Sequence, residues 1–249
     1  MSSEGFYVVI PARYASTRLP GKPLIELAGR AMVLRVAERA RASGATEVIV
    51  ATDHPEIVDV VVDAGFTAEM TSADHASGSD RIMEVVTRRG WPEDSVVVNV
   101  QGDEPLIPPT VIRQLGLALA ANGDLGAATL CEPQDDLLNF ADPNAVKVVR
   151  GAQQQALYFS RSPIPYSRDH AGAPARWLRH VGIYAYRVEV LKRFVGLTPS
   201  PLEQEERLEQ LRLLENGIGL CVLDACEPVP AGVDTPNDVA RVQSLLATR

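Results

Sequence analysis

Through its first 123 residues the chain alternates short apolar runs with amphipathic stretches, and this rhythm constrains the fold more than any other feature. The runs "FYVVI" (6–10), "TEVIVAT" (46–52) and "SVVVNVQ" (95–101) are nearly continuous in apolar residues, as strands buried on both faces must be. Between them, "AMVLRVAERARAS" (31–43) repeats Met32, Val33, Val36, Ala37 and Ala40 at helical spacing and stops at Gly44. "PEIVDVVVDAG" (55–65) offers Pro55 as a first helical residue, Asp53 or His54 ahead of it and Gly65 as its close. "DRIMEVVTRRG" (80–90) and "PTVIRQLGLALAANG" (109–123) are helical by the same criterion. A βαβα succession predicts an α/β fold with a mostly parallel central sheet flanked by helices.

After about residue 125 the pattern changes. "LGAATL", "AVKVVR", "QALYFS" and "HVGIYAYR" are strand-like, and "ERLEQLRLLENG" (206–217) is helical. Residues 161–177, rich in Pro, Gly, Ser and Arg, form a long loop of the kind that serves as a lid or binding segment. The final "TPNDVARVQSLLATR" opens with Thr235 as cap, Pro236 next and Asp238 three residues after the cap. No repeat or clean linker divides the chain, so residues 1–249 read as one interwoven domain with a smaller sheet-rich portion from its second half.

Composition narrows the partners. With net charge −8 and a pI near 5.1, the chain is not built for nucleic acid or an anionic membrane. Its three cysteines form no CxxC pair, so neither a disulfide framework nor a structural zinc site is expected. No signal-like start and no membrane-length apolar run is present, which predicts a protein of a reducing cytoplasm.

Against that acidic background, "PARYASTRLPGKPL" (11–24) gathers Arg13, Arg18 and Lys22, with Arg30 close behind, among turn-forming residues at the end of the first strand. Ligands of open α/β sheets bind beyond the carboxyl ends of the strands. Three cations there suit a polyphosphate, although a solvated basic loop accounts for them equally well. The loop is neither a GxGxxG fingerprint nor a GxxxxGK[ST] loop, which disfavours dehydrogenases and P-loop ATPases. At the end of the third apolar strand, Gln101, Gly102, Asp103 and Glu104 face the same crevice. Asp103 suits a hard divalent cation shared with phosphates, and simple turn chemistry is the alternative. In "AGVDTPNDVARV" (231–242), Asp238 is a helix cap, whereas Asp234 is not needed for capping and could join Asp103 on a metal. In "HASGSDRIMEVV" (75–86), the tetrapeptide Ser77-Gly78-Ser79-Asp80 caps a helix. Arg81 then sits in the first turn, where a cation opposes the helix dipole and calls for an anionic partner, either a side chain or a ligand carboxylate.

The motifs "IPARYASTRLPGKPL", "HASGSDRIMEV", "NVQGDEPLIPP", "ALYFSRSPIPY", "RHVGIYAYR", "LEQLRLLENG" and "GVDTPNDVARV" occur in order over essentially the whole chain. Together they resemble the 3-deoxy-manno-octulosonate cytidylyltransferase (CMP-Kdo synthetase) family. The departures are small: Arg30-Ala31 stands where the family more often has Lys-Pro, and Ser79 replaces a usual Thr.

The resemblance implies a Rossmann-like, magnesium-dependent nucleotidyltransferase, usually a homodimer. Such an enzyme couples CTP to the acid sugar Kdo, giving CMP-Kdo and pyrophosphate for lipopolysaccharide synthesis. It further implies that Arg13, Arg18 and Lys22 hold the CTP phosphates, with Gln101 and the Ser77-Gly78 turn around the nucleotide. Asp103 and Asp234 would bind magnesium, and with Lys22 they form the implied catalytic set. Arg81, Arg161, His180, Tyr184, Glu209 and Gln210 would line the sugar pocket. A second acid sugar, such as a sialic acid or an amino-substituted Kdo, is the competing substrate. A non-catalytic nucleotide-binding regulator on the same scaffold is the competing class.

Overall fold

The computed structural model describes residues 5–15, 19–170, 172 and 174–247. The first half runs β1 (Tyr7–Ala12), a 3-10 turn (Lys22–Leu24), β2 (Glu26–Leu27), β3 (Arg30–Ala31), α1 (Met32–Ala42), β4 (Glu47–Thr52), α2 (Pro55–Asp63), β5 (Thr67–Met70), α3 (Gly78–Arg89), β6 (Val96–Asn99) and α4 (Pro109–Ala121). The second half runs β7 (Ala127–Gln134), α5 (Leu137–Ala141), β8 (Lys147–Arg150), β9 (Ala156–Ser160), β10 (Trp177–Arg187), α6 (Val188–Val195), α7 (Pro201–Glu206), α8 (Leu211–Glu215), β11 (Cys221–Asp224) and α9 (Pro236–Ala247).

Seven strands lie side by side in the order β11-β7-β10-β6-β1-β4-β5. β6, β1, β4 and β5 pair in parallel, as do β7 and β11, while β10 runs antiparallel between β6 and β7. The expected mostly parallel α/β sheet is present. β8 pairs with β10 and with β9, so the smaller sheet-rich portion of the second half is an extension of the same sheet.

The continuous apolar runs are explained by burial on both faces. In β1, Val8, Ile10 and Ala12 join one cluster with residues of α1, α2 and α4. Val9 points the other way, into a cluster with α3, α6 and α8. β6 divides likewise, with Val96 and Val98 on the first side and Val97 on the second. Each such valine or isoleucine contributes about 1.5–3 kcal/mol through burial.

A third, smaller cluster joins Leu19, Leu27, Met32, Leu106, Val233 and Val242. These residues flank the opening loop, the turn after β6 and the entry to α9. Their burial draws three segments distant in sequence to one place above the carboxyl ends of β1 and β6.

The helix expected over 206–217 is broken. α7 ends at Glu206, Arg207 takes a left-handed conformation (φ 53°) and α8 starts at Leu211. Arg212 reaches back across the corner to Glu203 at 2.5 Å, an ion pair that fixes the bend.

Candidate functional site

Gly21, at φ 63°, turns the chain into the short helix that begins at Lys22. Pro23 is buried beneath it, and the lysine side chain is left only 14% exposed. Its Nζ lies 2.6 Å from Asp103 Oδ2 and 3.0 Å from Asp234 Oδ1. Burial pulls the Lys22 pKa down, but the two carboxylates outweigh it and hold the ammonium above its ordinary value. The three residues implied as the catalytic set are therefore together, although Asp234 is 212 positions from Lys22.

Asp103 follows β6 through Gly102, where a Cβ would meet the Pro11 carbonyl oxygen at 2.8 Å. A side chain there would push the β6 end away from β1, so glycine permits the close approach. The segment carrying Asp234 has no regular structure and is pinned instead. The Glu132–Arg179 pair grips Val229 by both main-chain groups: its N–H donates to Glu132 (2.5 Å), and its carbonyl accepts from Arg179 (2.7 Å). The N–H of Val233 donates to the Asp103 carbonyl at 2.9 Å. Asp238 then accepts from the N–H groups of Asp234 and Thr235 and from the Thr235 hydroxyl, the expected cap at the start of α9.

Two cavities meet at Asp103. The smaller, about 320 Å³, is lined by Arg13, Lys22, Ser77, Gly78, Gln101 and their neighbours. These are the residues expected around the nucleotide except Arg18, which lies outside the described residues. Arg13 donates to the His75 carbonyl, and Ser77 and Asp80 form a reciprocal capping box on α3. The larger cavity, about 800 Å³, is lined by Asp103, Glu104, Arg179, His180 and Asp234 among others.

The residues expected at the sugar divide into two groups. His180 lines the larger cavity, bonded through Nε2 to the Thr129 hydroxyl at 3.0 Å. Burial, with Arg179 alongside, pushes its pKa down to about 3, so the imidazole is neutral. Tyr184 is on the same side despite a bulge between Val181 and Tyr184, with the two rings 5.5 Å apart. Glu209 and Gln210 sit at the corner between α7 and α8, where Gln210 is buried and Glu209 half-buried. Glu209 accepts from the Ser79 hydroxyl at 3.1 Å, and burial raises its pKa. Its Oε1 and the Gln210 Nε2 are buried without a hydrogen-bond partner among the described residues. Buried polar atoms ordinarily have partners, so this pair is a natural place for a ligand hydroxyl.

Of the residues expected at the sugar, only His180 lines one of these two cavities; Tyr184, Glu209 and Gln210 do not, and Arg161 and Arg81 are held by the protein itself. Arg161 spends its guanidinium on the carbonyls of Pro143, Glu206 and Arg207 and lines neither cavity. Arg81 has no exposed surface; it bonds to Thr71 and pairs with Asp53 at 3.0 Å. The anionic partner that its position at the start of α3 called for is thus a side chain.

Sequence reasoning placed Glu104 at the crevice without a role, took Asp53 only as a possible helix start, and missed Glu132. Glu104 lines the larger cavity, and burial beside Asp103 raises its pKa to about 8. Asp53 had the same signal as Asp103, a carboxylate at a strand's carboxyl end, but was read as a possible helix cap. The Glu132–Arg179 pair spans two strands and left no local trace.

The donor set suits magnesium. Asp103 and Asp234 already converge on one cation, the Lys22 ammonium, and both offer hard oxygen ligands. No group of three or more candidate ligands occurs among the described residues. A nucleotide-bound magnesium commonly takes one or two protein carboxylates and completes its shell with phosphate oxygens and water.

The cytidylyltransferase family profile matches residues 7–221. Two relatives, from Alcanivorax borkumensis and Yersinia enterocolitica, are each 51% identical over 250 residues, with at least 97% of this chain and 98% of the relative covered. Both are called 3-deoxy-manno-octulosonate cytidylyltransferase. The chain belongs to that family. A solved CMP:2-keto-3-deoxy-manno-octonic acid synthetase complexed with CTP superimposes with a TM-score of 0.91 at 44% identity, covering 98% of this chain and 99% of its own. A nucleotidyl transferase from Methanothermobacter (TM-score 0.64, 16% identity, 99% and 100% covered) shares the fold. No helix among the described residues of this cytidylyltransferase-family chain is long and apolar enough to cross a membrane.

Proposed function

We propose that this chain transfers CMP from CTP to the anomeric hydroxyl of 3-deoxy-D-manno-octulosonate, releasing pyrophosphate. The observation that carries the reading is the meeting of Lys22, Asp103 and Asp234 where two cavities share Asp103 as a wall. It is supported by relatives 51% identical over nearly the whole chain that bear this activity's name.

The hydroxyl attacks the α-phosphorus in line, the new P–O bond forms as the bond to pyrophosphate breaks, and the hydroxyl proton is lost. The protein's part is placement and charge compensation. Arg13, Arg18, Gln101 and the Ser77-Gly78 turn hold the nucleotide, and Lys22 offsets charge growing on the departing pyrophosphate. His180, Tyr184, Glu209 and Gln210 hold the sugar, with His180 neutral and therefore tolerant of burial beside it. Asp103 and Asp234 hold magnesium, which when bound neutralises phosphate charge and lowers the pKa of an adjacent hydroxyl. By the same family resemblance, the chain works as a homodimer in the cytoplasm and supplies activated sugar for lipopolysaccharide.

Incubation with CTP, magnesium and a panel of acid sugars, followed by mass analysis, tests the reading. CMP-Kdo should form, with pyrophosphate released only when Kdo is present. Preference for a sialic acid, or CTP binding with no sugar-dependent pyrophosphate, would overturn it.

A further inference from the structure

Arg81 is a costly residue where it stands. It is fully buried in the first turn of α3, where the helix dipole opposes a cation, and its Nε has no hydrogen-bond partner among the described residues. Burial lowers its pKa, and the nearby charge of Arg13 lowers it further. Buried ion pairs seldom improve net stability over well-packed apolar residues. What the pair does is visible in its connections. Asp53 takes Arg81 on Oδ2 at 3.0 Å, and its Oδ1 accepts the main-chain N–H of Tyr14 at 3.0 Å. The Tyr14 carbonyl in turn accepts the N–H of Gly21 at 3.3 Å, and Gly21 immediately precedes Lys22. The Tyr14 ring stacks on His54 with centroids 3.8 Å apart and covers Gly21. A continuous line of contacts therefore runs from Arg81 through Asp53 and Tyr14 to the turn that carries Lys22.

We infer that Asp53 and Arg81 are positioning residues for the nucleotide: the pair latches the neck of the opening loop and thereby sets Arg13 and Lys22 for the triphosphate. Neither side chain lines either of the two cavities. Arg81 fixes the direction of the Asp53 carboxylate, and that carboxylate fixes Tyr14, the residue between the Arg13 cation and the closure at Gly21. A loop fixed before binding spends less of its interaction energy on ordering itself, so loss of the latch weakens CTP. The inference rests on the cytidylyltransferase reading for the identity of the nucleotide.

The test compares wild type, Arg81→Met, Asp53→Asn and the double variant by calorimetry with CTP and magnesium, by the KM of each substrate, and by Tm. Each variant should weaken CTP about tenfold, the effect of losing preorganisation in one loop, and leave the KM for Kdo within about twofold. The single variants leave a buried charge uncompensated and should lose Tm, whereas the double variant should regain it and still bind CTP weakly. A raised KM for Kdo with unchanged CTP affinity would show that Arg81 serves the sugar and overturn the inference. So would a double variant with wild-type CTP affinity. CTP binding is read without sugar, so a wild-type protein that binds CTP but ignores Kdo would sink the functional reading alone, and calorimetry would still decide the latch.

Discussion

Replacing Lys22 with methionine keeps the length of the side chain and removes its charge. The ammonium sits 2.6 Å and 3.0 Å from two carboxylates. At an effective dielectric near 20, bare attraction at such distances is roughly 5 kcal/mol per pair. Water screens much of this, because Asp234 is 53% exposed, and burying the lysine offsets more, so the net contribution to folding is about 1 kcal/mol. Tm should therefore move by only a few degrees. Catalysis should suffer far more. Negative charge grows on the departing pyrophosphate, and a cation placed there acts more strongly in the transition state than in the ground state. Removing one such preorganised group costs about 10²- to 10³-fold in kcat, or about 3–4 kcal/mol. Half-saturating magnesium should fall at the same time, since the ammonium that now sits on both carboxylates no longer competes for them. The assay is pyrophosphate release at saturating CTP and Kdo, with the CTP Kd taken separately by calorimetry. A variant with normal kcat and only a raised KM for CTP would refute the reasoning, leaving Lys22 as a nucleotide clamp.

Asp103→Asn and Asp234→Asn should each lose most turnover while keeping near-native Tm, whereas Asp238→Asn should be mild, because an asparagine oxygen can still accept the N–H groups at the start of α9; kcat and Tm for the three variants check this. Folding holds His180 neutral by lowering its pKa from 6.5 to about 3, so the unfolded chain binds more protons between those values and stability falls as pH drops through that window. This group alone adds a slope of up to about 1.4 kcal/mol per pH unit, which urea titrations of His180→Gln should lack; an unchanged slope would mean that the imidazole is charged in the fold. In α4, a Cβ at Gly116 would lie 2.4 Å from the Phe6 ring, so Gly116→Ala should lose about 1–3 kcal/mol in urea unfolding despite the better helix propensity of alanine. A gain in stability would show that this contact is loose.

The sequence by itself determined what is local and periodic. β1, β4 and β6 were legible because strands buried on both faces must be apolar at every position. The helices α1, α2, α3 and α4 were legible from 3.6-residue spacing and their end signals. The half-exposed edge strand β5, "TAEM", has no such pattern and left no signal. Capping chemistry is local as well, so Ser77–Asp80 and Thr235–Asp238 could be read directly. The ordered motifs added the family.

Only the tertiary structure decided which charges meet. Lys22 and Asp103 are 81 positions apart, and Lys22 and Asp234 are 212 apart. What joins them is the small apolar cluster of Leu19, Leu27, Leu106 and Val233, whose members are too scattered to form a sequence pattern. The same distinction explains Arg81. Its place at the start of α3 showed that it needed an anion, but choosing between a side chain and a ligand required knowing that β4 delivers Asp53 beside it. Where Glu209 and Gln210 sit was not legible from helical periodicity, which sees only neighbours on one helix. Their placement follows from the break at Arg207 and the Arg212–Glu203 pair, which turn the corner inward and leave Gln210 buried and Glu209 half-buried. Periodicity records which face of an element is buried, and only packing determines what that face is buried against.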